Sequence, residues 1–121
     1  MTYFLTREDV LSVANRFGAV LSDVGLLDAA IGRPQATVFG DDAYPSIWDK
    51  AAALLHLLAA NQQFVDGNKR VAWNAMELFL DLNGCEIDPP VQDARQFMVG
   101  VDHHSRWQDL SVWLESWGRS P

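Results

Sequence analysis

Between Ser46 and Ala60 the chain encodes a helix with almost no polar side. From Ile47 to Ala60 only Asp49, Lys50 and His56 are polar, and Ser46 precedes the run as an N-cap. A helix that is apolar nearly all round must be covered on every side. The run is also too short to span a bilayer, which takes about 20 residues. The chain is therefore constrained to wrap its other elements around this segment.

The flanking sequence supplies those elements. Thr6 caps a first helix with Glu8 and Asp9 in its opening turn, and Val10, Val13, Ala14 and Phe17 follow helical spacing up to Gly18. A short second helix covers Leu26 to Ile31, stopped by Gly32 and Pro34. Ala36 to Phe39 is the one segment read as a strand. Gly40-Asp41-Asp42 turns the chain after it, and Pro45 blocks an early helix start. After the central helix, Asn61 to Gly67 reads as a loop. The next helix starts near Asn68 and runs to Asn83. It carries an apolar stripe (Ala72, Ala75, Met76, Phe79, Leu82) and a polar one (Arg70, Asn74, Glu77, Asp81). Val91 to Val101 follows a Pro89-Pro90 link, and Trp107, Leu110, Leu114 and Trp117 place a last helix. The expectation is an all-α bundle of about six helices with a small β-hairpin flap near residues 36–46, in a single domain covering 1–121.

Bulk properties narrow the function classes. The chain has 121 residues, 49% of them hydrophobic, with nine Lys+Arg against sixteen Asp+Glu and a net charge of −7. That balance argues against direct DNA binding. Cys85 is alone, so no internal disulfide forms, and a reducing, cytoplasmic setting is expected. The Met1 end lacks the charged segment and apolar run of a secretory signal, and no membrane partner is expected.

The chemistry is concentrated in Phe64-Val65-Asp66-Gly67-Asn68-Lys69-Arg70. Gly67 permits a tight turn and close backbone approach. Asn68, Lys69 and Arg70 open a helix whose free N–H groups favour anions. Arg70 can grip two phosphate oxygens at once. Asp66 is an oxygen ligand suited to Mg²⁺. Asn68 can hold a phosphate or a metal-bound water, and Phe64 turns inward to fix the loop. On the residues alone a plainer reading also stands: a turn at Asp66-Gly67, a cap at Asn68 and two solvated cations. The stretch is not a Walker A loop, since no Ser or Thr follows Lys69.

This stretch, with Val71-Ala72-Trp73-Asn74 after it, resembles the signature His-x-Phe-x-Asp/Glu-Gly-Asn-Gly/Lys-Arg of the Fic/Doc superfamily. Lys69 before Arg70, and Trp73 where a second Arg would stand, are similar to the Doc branch. Gly25 to Ala36 and Phe79 to Gly84 also resemble segments of Doc toxins, so the likeness covers most of residues 4–118. The resemblance implies a Fic/Doc-type fold. It also implies a toxin–antitoxin function: a kinase that moves the γ-phosphate of ATP to a threonine of elongation factor Tu and blocks translation. Asp66 would hold Mg²⁺, and Gly67, Asn68, Lys69 and Arg70 would hold the ATP phosphates. Asn74, one turn beyond Arg70, would assist, and the 36–46 flap would dock the target as an added strand. The antitoxin's C-terminal segment would dock on the toxin, with Trp107, Trp113 and Trp117 as candidate contacts; core-edge packing is the plainer role for these tryptophans.

One position departs from the pattern. Gln62 stands where the resembled motif has its catalytic histidine, and a neutral amide takes up no proton near pH 7. Weak or absent activity is expected, whether the glutamine is natural or engineered. His56 does not substitute on the same face, since it lies six residues earlier, roughly 240° around a helix axis. It reads as a core histidine, and His103-His104 as solvent or capping residues. Two rival functions remain open: a catalytically dead module that binds antitoxin or nucleotide, and an AMP-transferring Fic enzyme, against which Lys69 and the missing second Arg argue.

Overall fold

The computed structural model describes residues 1–120. Among them six α-helices form a bundle: α1 Arg7–Arg16, α2 Val24–Gly32, α3 Ile47–Ala60, α4 Asn68–Leu82, α5 Val91–Val99 and α6 Trp107–Ser116. The all-α architecture with a small hairpin is as the sequence implies. Among the described residues no helix is long and apolar enough to cross a membrane.

Helix α3 is the axis. Ser46 and Asp49 close a capping box at its start, each side chain bonded to the other's backbone N–H. Packed around it are α2, the 3-10 turn Arg33–Gln35, α4 and α6, with α4 its most extensive neighbour. Leu54, Leu55 and Leu58 are buried at its core. Burying each contributes about 1.5–3 kcal/mol. Helix α1 starts on a second capping box, Thr6 with Asp9, and packs on α4.

Several boundaries differ from expectation for local reasons. Helix α2 starts at Val24, two residues early, because the Asp23 side chain accepts the Leu26 N–H as an N-cap. The hairpin pairs β1 Thr37–Val38 with β2 Asp41–Asp42. Its turn is therefore Phe39-Gly40, both at positive φ (52° and 86°), and Asp41-Asp42 is strand where a turn was expected. Helix α5 ends at Val99, two residues before the expected Val101. A second pair, β3 Glu86–Ile87 with β4 Gly118–Arg119, closes the chain's end onto the link before α5. Gly118 lies so close to Trp48 that an added Cβ would sit 2.3 Å from the indole.

The hairpin is tied down at its base. Lys50 of α3 is buried, and its ammonium donates to Asp42 Oδ2 at 3.1 Å, to the Pro45 carbonyl at 3.3 Å and to the Tyr44 carbonyl. Arg33 donates to the Tyr44 hydroxyl. The tip is free: Phe39 is fully exposed.

Candidate active site

The loop between α3 and α4 is shaped from inside by two amides. Gln63 is fully buried, and its Nε2 donates to the Leu58 carbonyl at 2.6 Å and to Asn68 Oδ1 at 2.8 Å. The same Asn68 oxygen accepts the Phe64 N–H at 3.0 Å, while Asn68 Nδ2 donates to the Phe64 carbonyl at 2.9 Å. Phe64 is fully buried, as its position in the motif suggested. From outside, the 20–23 segment laces onto the loop. Ser22 N–H donates to the Gln63 carbonyl at 2.8 Å, and Val65 N–H to the Val20 carbonyl at 2.9 Å. Gln62 is exposed at the loop's rim.

Gly67 then turns the chain into α4 at φ 76°, the left-handed region that favours glycine. No side chain caps this helix and no acid sits in its first turn. Val71 donates to the Gly67 carbonyl, so the N–H groups of Asn68, Lys69 and Arg70 lie ahead of the helical ladder. This is the positive end of the helix dipole, left open. Asp66, Lys69 and Arg70 are all exposed around it.

The structure distributes the named residues unequally. Asp66, Gly67, Lys69 and Arg70 are neighbours at this one end, but the two cationic side chains turn apart, Lys69 toward α5 and Arg70 toward the end of α1. The Asn68 side chain points inward and is spent on the loop, so its offer to a phosphate is its backbone N–H. Lys69 Nζ donates to the Val99 carbonyl at 3.1 Å, at the end of α5. The Arg70 guanidinium lies 5.5 Å from the Phe17 ring centre. Asn74 Nδ2 bonds back to the Arg70 carbonyl at 2.9 Å. Among the described residues no three His, Cys, Asp or Glu cluster as a metal cage. A single carboxylate fits Mg²⁺ carried on a polyphosphate, because that ion keeps several waters and takes only one or two protein oxygens.

His56 lies apart from the loop's face. Its Nε2 is 3.0 Å from the Asp102 carbonyl, Nδ1 is buried without a partner, and desolvation holds its pKa below the usual value. His103 and His104 are exposed in the turn before α6. The tryptophans pack: Trp107 edge-on to Tyr44, and Trp113 stacked on Phe97 at 3.8 Å between ring centres, with Trp73 edge-on to both.

A groove that spacing alone does not announce runs along the outer face of α4. A cavity of about 640 Å³ runs from Lys69 and Arg70 between α4 and α5, walled by Trp73, Ile87, Val91 and Met98. A second, of about 540 Å³, continues it toward Arg16, Asp81 and Glu86. The polar stripe Arg70, Asn74, Glu77, Asp81 was the available signal, since a helix's outward face next to a Pro-rich link need not be covered by the chain itself.

A left-handed glycine, an open helix start and two cations on a pre-shaped loop are the anatomy of the signature loop noted above. The chain belongs to the Fic/DOC family, whose sequence model matches residues 4–80. Within that family it stands in the Doc branch. It is 59% identical over 90 residues to Toxin Doc of Mycolicibacterium smegmatis, covering 72% of this chain and 69% of that protein. It is 36% identical over 75 residues to the protein kinase doc of Escherichia phage P1, covering 60% of this chain and 59% of the phage protein.

Proposed function

We propose that this Doc-like toxin belongs to a toxin–antitoxin pair and descends from a cytoplasmic kinase that transfers the γ-phosphate of ATP to a threonine of elongation factor Tu. The observation that carries the reading is the open start of α4, with Gly67 left-handed and the backbone N–H groups of Asn68, Lys69 and Arg70 ahead of the helical ladder. The relatives support its class, one named a toxin and the other a protein kinase.

In this reading the ATP phosphates face the N–H groups of 68–70, with Lys69 and Arg70 taking their charge. Asp66 would contribute an oxygen to the Mg²⁺ that accompanies ATP and neutralises the phosphate charge. The threonine oxygen bonds to the γ-phosphorus as the bond to the bridging oxygen breaks, and the hydroxyl proton needs an acceptor. Gln62 stands at the rim where that acceptor belongs, and an amide does not take the proton. The loss is about 10²- to 10⁴-fold in rate. Binding survives it, because phosphoryl transfer rests on positioning and charge stabilisation. The exposed, neutral Gln62 on an intact loop also supports the second reading, a module that binds antitoxin or nucleotide without turnover.

The antitoxin's docking helix fits the α4 groove in this reading, since that groove is longer than the smaller cavity lined by Phe97, Trp113 and Trp117, and Trp107 packs on Tyr44. The test of the catalytic part is Gln62→His. The variant is expected to incorporate phosphate into elongation factor Tu and arrest growth, with mass spectrometry reading phosphate rather than AMP. A folded variant that binds ATP and modifies nothing contradicts the kinase reading; AMP addition supports the AMP-transferring rival.

A further inference from the structure

We propose that Glu77 is the residue by which the α4 groove selects its partner helix, pairing with a Lys or Arg on that helix's docked face. The inference rests on the toxin–antitoxin reading above and names what that partner must carry.

The two cavities share Asn74, Glu77 and Ile87, so they form one continuous groove with Glu77 at its middle. From Arg70 to Asp81 it follows α4 for about 17 Å, the length of three helical turns. Its cations lie toward the ends: Lys69 and Arg70 at one, Arg16 at the other, and Arg95 on the α5 wall. Lys69 is bonded to the Val99 carbonyl and Arg70 rests on Phe17. The described residues place no cation within ion-pair distance of Glu77. Glu77 is exposed to the open groove, and partial desolvation by the surrounding walls raises its pKa.

That combination is selective. An apolar helix face laid over the groove would strip water from Glu77 and leave a carboxylate unpaired, a costly arrangement. An acidic residue set opposite Glu77 would meet like charge. A Lys or Arg directed at Glu77 satisfies the carboxylate while the rest of the helix covers Trp73, Ile87 and Met98. A second copy of this chain is a poor occupant, because each carries a net charge of −7 and would bring another Glu77.

The test uses the full chain and a synthetic peptide of the C-terminal segment of the antitoxin encoded beside it, titrated by calorimetry. Glu77→Gln is expected to weaken binding by about 30-fold or more, as loss of one partner of a charge pair buried on binding does. Glu77→Lys is expected to abolish it. Replacing one basic residue of the peptide by Glu should abolish binding to the wild type and restore it to Glu77→Lys. If Glu77→Gln misfolds, the peptide substitutions on wild-type protein decide alone. Equal affinity of wild type and Glu77→Gln, or of the wild type for every charge-reversed peptide, overturns the inference and leaves the toxin reading standing. A wild type that does not bind the peptide at all overturns the toxin reading itself.

Discussion

Gln63 Nε2 lies 2.8 Å from Asn68 Oδ1, and this bond ties the end of α3 to the start of α4 behind the signature loop. The same oxygen also holds the Phe64 N–H. The motif's asparagine thus works as the loop's inner strut, and its side chain does not reach toward a ligand. Asn68→Ala leaves the buried Phe64 N–H and carbonyl unpaired and removes one of the two acceptors of the Gln63 amide, which keeps the Leu58 carbonyl. Each orphaned group costs about 1–3 kcal/mol. Urea unfolding is expected to show a loss of at least that size without added nucleotide. An unchanged midpoint would mean that Asn68 serves only at the surface.

The flap should depend on a residue outside it. Lys50→Met removes the donor shared by the Tyr44 and Pro45 carbonyls and by Asp42. Hydrogen exchange at the hairpin amides is expected to accelerate about ten-fold or more, the equivalent of about 1.4 kcal/mol, while α4 amides hold their protection. Equal exchange in both proteins would show that the hairpin is held by its own strand pairing.

Glu77 gives a pH signature in the free chain. Partial desolvation by the groove walls raises its carboxyl pKa above the unfolded value, although the residue is exposed. Between those two values the folded chain holds a proton that the unfolded chain lacks, so stability falls as pH rises through that window. Glu77→Gln removes this loss. The variant is expected to melt higher than wild type at pH 7, with the gain vanishing well below the ordinary Glu value of about 4.3. A variant that melts lower at pH 7 would reveal a stabilising partner for the carboxylate in the free protein, against the inference drawn from the groove.

Much of this arrangement was legible from the residues. Helix α3 could be placed by its cap and its lack of a polar face, and α4 by Gly67 and its two stripes. Local chemistry decides such boundaries, and a single sequence displays it. What sequence spacing could not convey were long-range pairings. β3 and β4 are too short to announce themselves, and they join residues far apart in the chain. The turn at Phe39-Gly40 places a bulky residue at positive φ, against local preference, whereas Gly40-Asp41-Asp42 carries the ordinary turn composition. At the site, the cluster of Asp66, Gly67, Lys69 and Arg70 could be read from adjacency. The inward turn of Asn68 could not, because it depends on Gln63, a residue that reads as an ordinary polar loop position until its burial is seen. Trp107 and Trp73 pack on other rings, while Trp113 and Trp117 line a small cavity beside α5, and the longer open groove lies along α4.

The central claim is that a magnesium-bound triphosphate sits at the open start of α4. Calorimetric titration of Mg-ATP into the wild-type chain and into Lys69→Ala/Arg70→Ala tests it most directly. Saturable binding by the wild type, lost in the folded double variant and present even though Gln62 holds the catalytic position, is the predicted result. A folded wild type that shows no binding, or a double variant that binds equally well, would contradict the account.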